Sequence, residues 1–218
     1  MKKGKFIIIE GPDFCGKSTQ INLLKNSIKH EKTLFTREPG SYLPESTEYC
    51  ENVRKTILSS NLTAHQEAVL FADSRFCHTK EIVDLINKGF NVITDRYIVS
   101  SLAYQGYAQS LGAETILDIN KKVLDLLKEE GITIECVKFI IDEKEWRKRK
   151  ADRLSKESAD TIEQKDIHES ILTFFTDDNV FYACTNKLDM NVHEIDATND
   201  IHTVYKDFYL VMDFILNN

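Results

Sequence analysis

The sequence predicts an α/β fold, a parallel sheet between layers of helices, and three observations carry that prediction. Short β-rich runs alternate with long helical stretches along the chain. The first apolar run leads straight into a glycine-bounded turn and then an amphipathic helix, the order of a strand–loop–helix unit. Only three prolines occur, and no linker, repeat or low-complexity segment interrupts the pattern, so residues 1–218 read as one domain. That length is ample for a full hydrophobic core.

The first strand, residues 5–10, is marked by the continuous run Phe6-Ile7-Ile8-Ile9. Gly11-Pro12-Asp13-Phe14-Cys15-Gly16-Lys17-Ser18 follows, and Ile21, Leu23, Leu24 and Ile28 give the next helix its apolar face. A second strand, 33–36, runs into Arg37-Glu38-Pro39-Gly40. Helical patterns cover 67–87 and 114–129, the latter closing at Gly131, with a third strand, 91–94, between them. Strands at 137–141 and 191–195 complete a five-stranded parallel sheet. Residues 142–166 differ: they are densely charged, with Trp146, Leu154 and Ile162 the main apolar exceptions. A solvated helix with a polar loop is expected there.

Composition narrows the function. With 28 Lys and Arg against 35 Asp and Glu, the net charge of −7 argues against broad nucleic-acid or membrane-surface binding. No run is apolar enough to span a bilayer, and Met1-Lys2-Lys3-Gly4 enters a strand without a signal-peptide core. Cys15, Cys50, Cys77, Cys136 and Cys184 are scattered and lack CxxC spacing, which suggests neither disulfides nor zinc. A cytosolic location is expected.

The residues 11–18 carry the chemistry. Glycines let the backbone curl so that successive N–H groups face a phosphate, and the new helix adds its positive N-terminal end. Lys17 reaches the outer phosphates, and the Ser18 hydroxyl is placed to ligate Mg²⁺. Gly11 to Ser18, with Thr19, are thus the expected ATP-binding segment of a P-loop fold, a three-layer α/β/α sandwich. At the end of the third strand, Asp95-Arg96-Tyr97 emerges where ligands sit in open parallel sheets. Asp95 suits the waters of Mg²⁺, and Arg96 suits a two-pronged grip on phosphate. Arg37, Arg54, Arg75, Phe71, Tyr104 and Gln105 add charge, a flat apolar face and hydrogen bonds, the needs of a nucleoside monophosphate. Phe71 and Arg75 are four apart and share a helix face.

These segments together resemble the thymidylate kinase family, its bacterial branch in particular. The likeness rests on residues 6–20, Thr36-Arg37-Glu38-Pro39-Gly40, Leu70-Phe71-Ala72-Asp73-Ser74-Arg75, Asp95 through Gly106, and Ile195-Asp196-Ala197-Thr198 near adenine. It implies transfer of a phosphoryl group from ATP to dTMP with Mg²⁺, by a homodimer. It also implies that Lys17 and Ser18 handle the donor, that Arg37, Arg54 and Arg96 surround the acceptor phosphate, and that Glu38 belongs to the acceptor site. Phe71 would stack on thymine, Arg75 would donate to a base carbonyl, and Ser101 and Gln105 would meet the base edge. Tyr104 would press on the sugar, and Asp13 would lie near the acceptor's sugar and phosphate.

The chain departs from the family in three places. Phe14 stands where one branch carries an arginine, and Gly40-Ser41-Tyr42 replaces a double glycine. In the expected lid, residues 143–166, Asp160-Thr161-Ile162-Glu163 puts Thr161 where an arginine is expected. Arg149 and Arg153 are then expected to share the clamp on the transferring phosphoryl group, Arg153 foremost. Alternatives are a kinase for dUMP or a modified base, a deoxynucleoside kinase, and a GTPase-like switch suggested by Asn186-Lys187-Leu188-Asp189. The last lacks a separate switch motif.

Overall fold

A continuous apolar strand needs cover on both faces, and the first strand obtains it by alternation. In β1 (Phe6–Glu10), Phe6 and Ile8 enter one core while Ile7 and Ile9 enter the other. The computed structural model describes residues 2–28, 32–40, 44–155 and 166–217. Its other strands are β2 (Thr33–Arg37), β3 (Asn91–Asp95), β4 (Ile134–Ile140) and β5 (Met190–Asp196), ordered β2-β3-β1-β4-β5 with every neighbouring pair parallel. All five expected strands are present. The fourth begins three residues earlier than its sequence pattern suggested, because Glu135 and Cys136 pair with β1 despite the polar residue.

Helices cover both faces. The smaller core lies under α1 (Lys17–Ser27) and the terminal helix (Ile201–Asn217), where Phe139 of β4 meets Phe208 edge-on at 5.2 Å. On the other face lie α2 (Pro44–Ser59), α3 (Ala64–Asn87), α4 (Ile98–Ser101), a π-helical segment (Leu102–Ala108), α5 (Ala113–Ile119) and α6 (Lys121–Glu129). Beyond β4 come α7 (Glu143–Leu154), α8 (His168–Thr176) and α9 (Asp178–Thr185), and the terminal helix is α10. Thr63 and Gln66 form a reciprocal capping box that starts α3 three residues before the apolar pattern does.

The helix expected over 114–129 is broken at Asn120, which separates α5 from α6. Asn120 is buried; its Nδ2 returns to the Ile116 carbonyl and its Oδ1 accepts from Arg75 at 2.7 Å. Asn favours such breaks because its side chain competes for backbone partners. Here the break aims an amide at the site.

Phe139 fixes β4 against α10 and is fully buried. Phe139→Ala should cost about 3–5 kcal/mol of unfolding free energy, read as a lower denaturant midpoint by circular dichroism.

Candidate active site

Parallel strands deliver their carboxyl ends to one edge, and here those ends carry Glu10, Arg37 and Asp95. Gly11 turns the chain at φ 149°, and a Cβ there would lie 2.8 Å from the Phe139 carbonyl oxygen, so only glycine fits beneath the loop. Gly16, at φ 94°, opens α1. Lys17 is buried and folds back, donating to the carbonyls of Gly11 at 2.9 Å and Pro12 at 3.0 Å. Gly11 and Pro12 thus seat the lysine.

Three cavities surround this loop. One, of about 390 Å³, is lined by Arg37, Glu38, Arg54, Phe71, Arg75, Arg96, Ser101, Tyr104 and Gln105, the whole acceptor set read from the sequence. A second, of about 400 Å³, is lined by Phe14, Gly16, Lys17, Ser18, Thr19 and Arg149 among others. Asp13, Ser18, Asp95, Arg96 and Arg153 line both, so the two spaces meet there. A third, of about 700 Å³, opens between Cys15, Gly16 and Thr19 and the Thr198–Asn199 turn after β5.

Arg75 is almost wholly buried. Its Nε donates to Glu38 at 2.6 Å, and its Nη2 donates to Ser101 Oγ at 3.0 Å and the Tyr97 carbonyl at 3.4 Å. His78 lies 3.4 Å from the other Glu38 oxygen and 2.9 Å from Thr36. A planar guanidinium gripped on three sides is pre-oriented. Phe71 is half-buried, resting on the larger core while lining the cavity. Arg37 is more exposed and pairs with Glu51 at 2.8 Å; Arg54 projects from α2, half-buried.

Asp13 is the hub. It accepts from Arg96 and, at 2.5 Å, from the Tyr104 hydroxyl. Burial alone would raise its pKa, but the Arg96 and Lys17 charges and the Tyr104 bond outweigh it and hold the carboxyl below its usual value. Arg96 also donates to the Gly11 carbonyl and Ser100 Oγ. Phe14, at φ 66°, packs its ring against Trp146 and His168.

Arg149 differs from expectation. Its donors are taken by Glu145, the Cys15 carbonyl and the carbonyls of Thr198 and Asn199, so it staples the loop to the turn after β5. In this arrangement those partners occupy the guanidinium that was expected at the clamp. Arg153, exposed at the end of α7, lines both meeting cavities. Residues 41–43 and 156–165, with the departures at Ser41-Tyr42 and Thr161, lie outside the described residues.

Asp95 fits a cation. Its Oδ1 is buried with no hydrogen-bond partner among the described residues, and it shares both cavities with Ser18. No group of three His, Cys, Asp or Glu side chains forms a cage among the described residues. One carboxylate, one hydroxyl and phosphate oxygens are the set Mg²⁺ takes.

The thymidylate kinase family model matches residues 9–207. The chain belongs to the thymidylate kinase family. The thymidylate kinase of Caldicellulosiruptor saccharolyticus is 30% identical over 98% of each chain, and that of Acholeplasma laidlawii 33% identical over 97% of this chain and 98% of its own. The crystal structure of thymidylate kinase from Ehrlichia chaffeensis shares the fold, with a TM-score of 0.62 at 23% identity, covering 97% of this chain and 99% of its own. The sequence Asn186-Lys187-Leu188-Asp189 precedes β5, at the sheet end opposite the loop, where Lys187 pairs with Glu114 and Asp189 with Thr133. It reads no base.

Sequence reasoning assigned no role to Glu10, Glu67, His78, Asn120 or His168, and noted Trp146 without placing it. A lone acid closing an apolar strand and an asparagine inside a helical pattern were the available signals. Glu10 is fully buried and accepts from the Tyr97 N–H at 2.7 Å, the Ser100 N–H at 3.2 Å and the Ser100 hydroxyl at 2.6 Å. Burial pushes its carboxyl up to about 7, against the pull of those bonds and of Arg96 and Lys17. The folded chain therefore keeps a proton that the unfolded chain releases near 4.5; this stabilisation is full below 4.5 and lost as pH rises through about 7. The stability difference between wild type and Glu10→Gln should fall by about 1.4 kcal/mol per pH unit across that window. Denaturation series at closely spaced pH values measure it, and a flat difference contradicts it.

Proposed function

We propose that the protein transfers the γ-phosphoryl group of ATP to the 5′-phosphate of dTMP, giving ADP and dTDP. The observation that carries this reading is the acceptor cavity: Arg37, Arg54 and Arg96 line it together with Phe71, Arg75, Ser101 and Gln105, and it joins the P-loop cavity at Asp13 and Arg153. Three arginines suit an acceptor that already carries phosphate, which disfavours a free 5′-hydroxyl.

The steps are few. Lys17 leaves the Gly11 and Pro12 carbonyls to follow the migrating group, and the backbone N–H groups of the loop hold the donor phosphates. Arg96, held by Asp13 between the two cavities, steadies the acceptor phosphate oxygen that attacks Pγ. That oxygen forms the new P–O bond as the bond from Pγ to the β–γ bridging oxygen breaks, and ADP leaves. Catalysis is positioning and charge neutralisation. Ser18 and Asp95 would hold Mg²⁺, which when bound offsets phosphate charge. Tyr104, fixed by its bond to Asp13, takes the sugar face. Arg149 keeps the adenine-side turn against the loop. A cytosolic homodimer completes the proposal; no helix among the described residues is long and apolar enough to cross a membrane.

A coupled ADP-release assay across dTMP, dUMP, dCMP, dGMP, dAMP and thymidine tests this. The highest kcat/KM is expected with dTMP; turnover of thymidine instead would overturn it. Lys17→Ala should lower kcat about a hundredfold or more with the dTMP KM little changed, as for other contacts strengthened in the transition state. Arg153→Ala should lower kcat, whereas Arg149→Ala should raise the KM for ATP more than it lowers kcat. Equal effects of the two substitutions on kcat would return Arg149 to the clamp.

A further inference from the structure

We propose that Glu67 is a positioning residue that decides which end of the Gln105 carboxamide faces the acceptor base, and thereby sets preference for a base with an N3–H. The inference rests on the reading of the cavity as a pyrimidine monophosphate site. Glu67 lies on α3 one turn before Phe71 and two before Arg75, on the same face. It is 1% exposed, and one of its oxygens, Oε2, accepts from Gln105 Nε2 at 3.0 Å and Gln109 Nε2 at 2.8 Å.

A carboxylate oxygen only accepts, so both glutamines must turn their NH₂ groups to it. This fixes an amide orientation that shape alone leaves open. Gln105 Oε1 is then the end left for a ligand: it has no partner among the described residues, and Gln105 lines the acceptor cavity. The π-helical segment contributes to this convergence, placing Gln105 within it and Gln109 just past its end, so that both reach one oxygen.

An acceptor at that point matches the N3–H of thymine or uracil. Cytosine presents a lone pair at N3 and would set acceptor against acceptor. Ser101 and Arg75, on the same wall, are donors suited to a C4 carbonyl and not to a 4-amino group. Sites built to hydrogen-bond one partner reject the mismatched analogue strongly, because the buried group is left unpaired. Glu67 touches no substrate in this scheme; it acts through Gln105.

Steady-state kinetics of wild type and Glu67→Gln with dTMP, dCMP and ATP test it. With an amide at 67 the Gln105 carboxamide is free to turn over, so the ratio of kcat/KM for dTMP to that for dCMP should fall about tenfold or more. The KM for ATP should stay within about twofold, since α3 does not reach the P-loop cavity. Exchanging the pair, Glu67→Gln with Gln105→Glu, restores a donor at 67 and an acceptor toward the base, and should recover the dTMP preference. An unchanged ratio in Glu67→Gln, or equal loss for both nucleotides with no recovery in the exchanged pair, overturns the proposal. If Glu67→Gln does not fold, the exchanged pair decides alone: preference kept supports the proposal, preference lost overturns it. A wild-type enzyme that ignores dTMP would instead refute the function reading.

Discussion

The site depends on one partly buried carboxylate, Asp13, being kept ionised where two cavities meet. A buried charge is tolerated only when it is paired and hydrogen-bonded. Arg96 and Tyr104 supply the pairing, and through them Asp13 joins the P-loop, the end of β3 and the π-helical segment. Its backbone carbonyl meanwhile accepts the Trp146 indole N–H at 2.9 Å, which brings in α7. Four chain segments distant in sequence are thus referenced to one residue. Anything that shifts Asp13 shifts the guanidinium at the meeting point of the two cavities.

Buried charge elsewhere in the site follows the same rule, with polarity chosen for orientation more than for stability. The Arg75–Glu38 pair is nearly excluded from solvent. Such pairs give little net stabilisation, because desolvation offsets the attraction. Their value lies in geometry: Arg75 has its direction set before any ligand arrives. Lys138 on β4 is a contrasting case, fully buried yet paired with Asp178 and Glu194 outside the site, where it ties β4 to α9 and β5. Burial lowers its pKa, and the bonds to those two acids more than reverse this.

Much of this was legible in the sequence, and the limits have physical causes. Local signals sufficed for the strands, since Phe6-Ile7-Ile8-Ile9 fills two cores at once, and for the loop that follows. That Arg37, Phe71, Arg75, Arg96 and Gln105 would line one cavity was legible because their motifs lie in chain order at strand ends and on one face of α3. Non-local partnerships were not. Nothing near Glu10 indicates that it will cap α4 ninety residues away, and nothing near Arg149 shows that carbonyls of the loop and of the turn after β5 will converge on it. A surface-looking arginine in a charged helix became a fixed structural tie for that reason. Asn120 broke a helix that periodicity alone would have continued.

The chain's single tryptophan, Trp146, has its place in this network: nearly solvent-free, bonded to the Asp13 carbonyl, and flanked by the Phe14 ring and by Lys150 at 5.0 Å. Indole emission responds to nearby charge and to the fate of its N–H. The molecule therefore carries an intrinsic optical reporter within one residue contact of its phosphate loop. Nucleotide arrival can be followed in real time by ultraviolet fluorescence, with no label attached and no second tryptophan to confuse the signal.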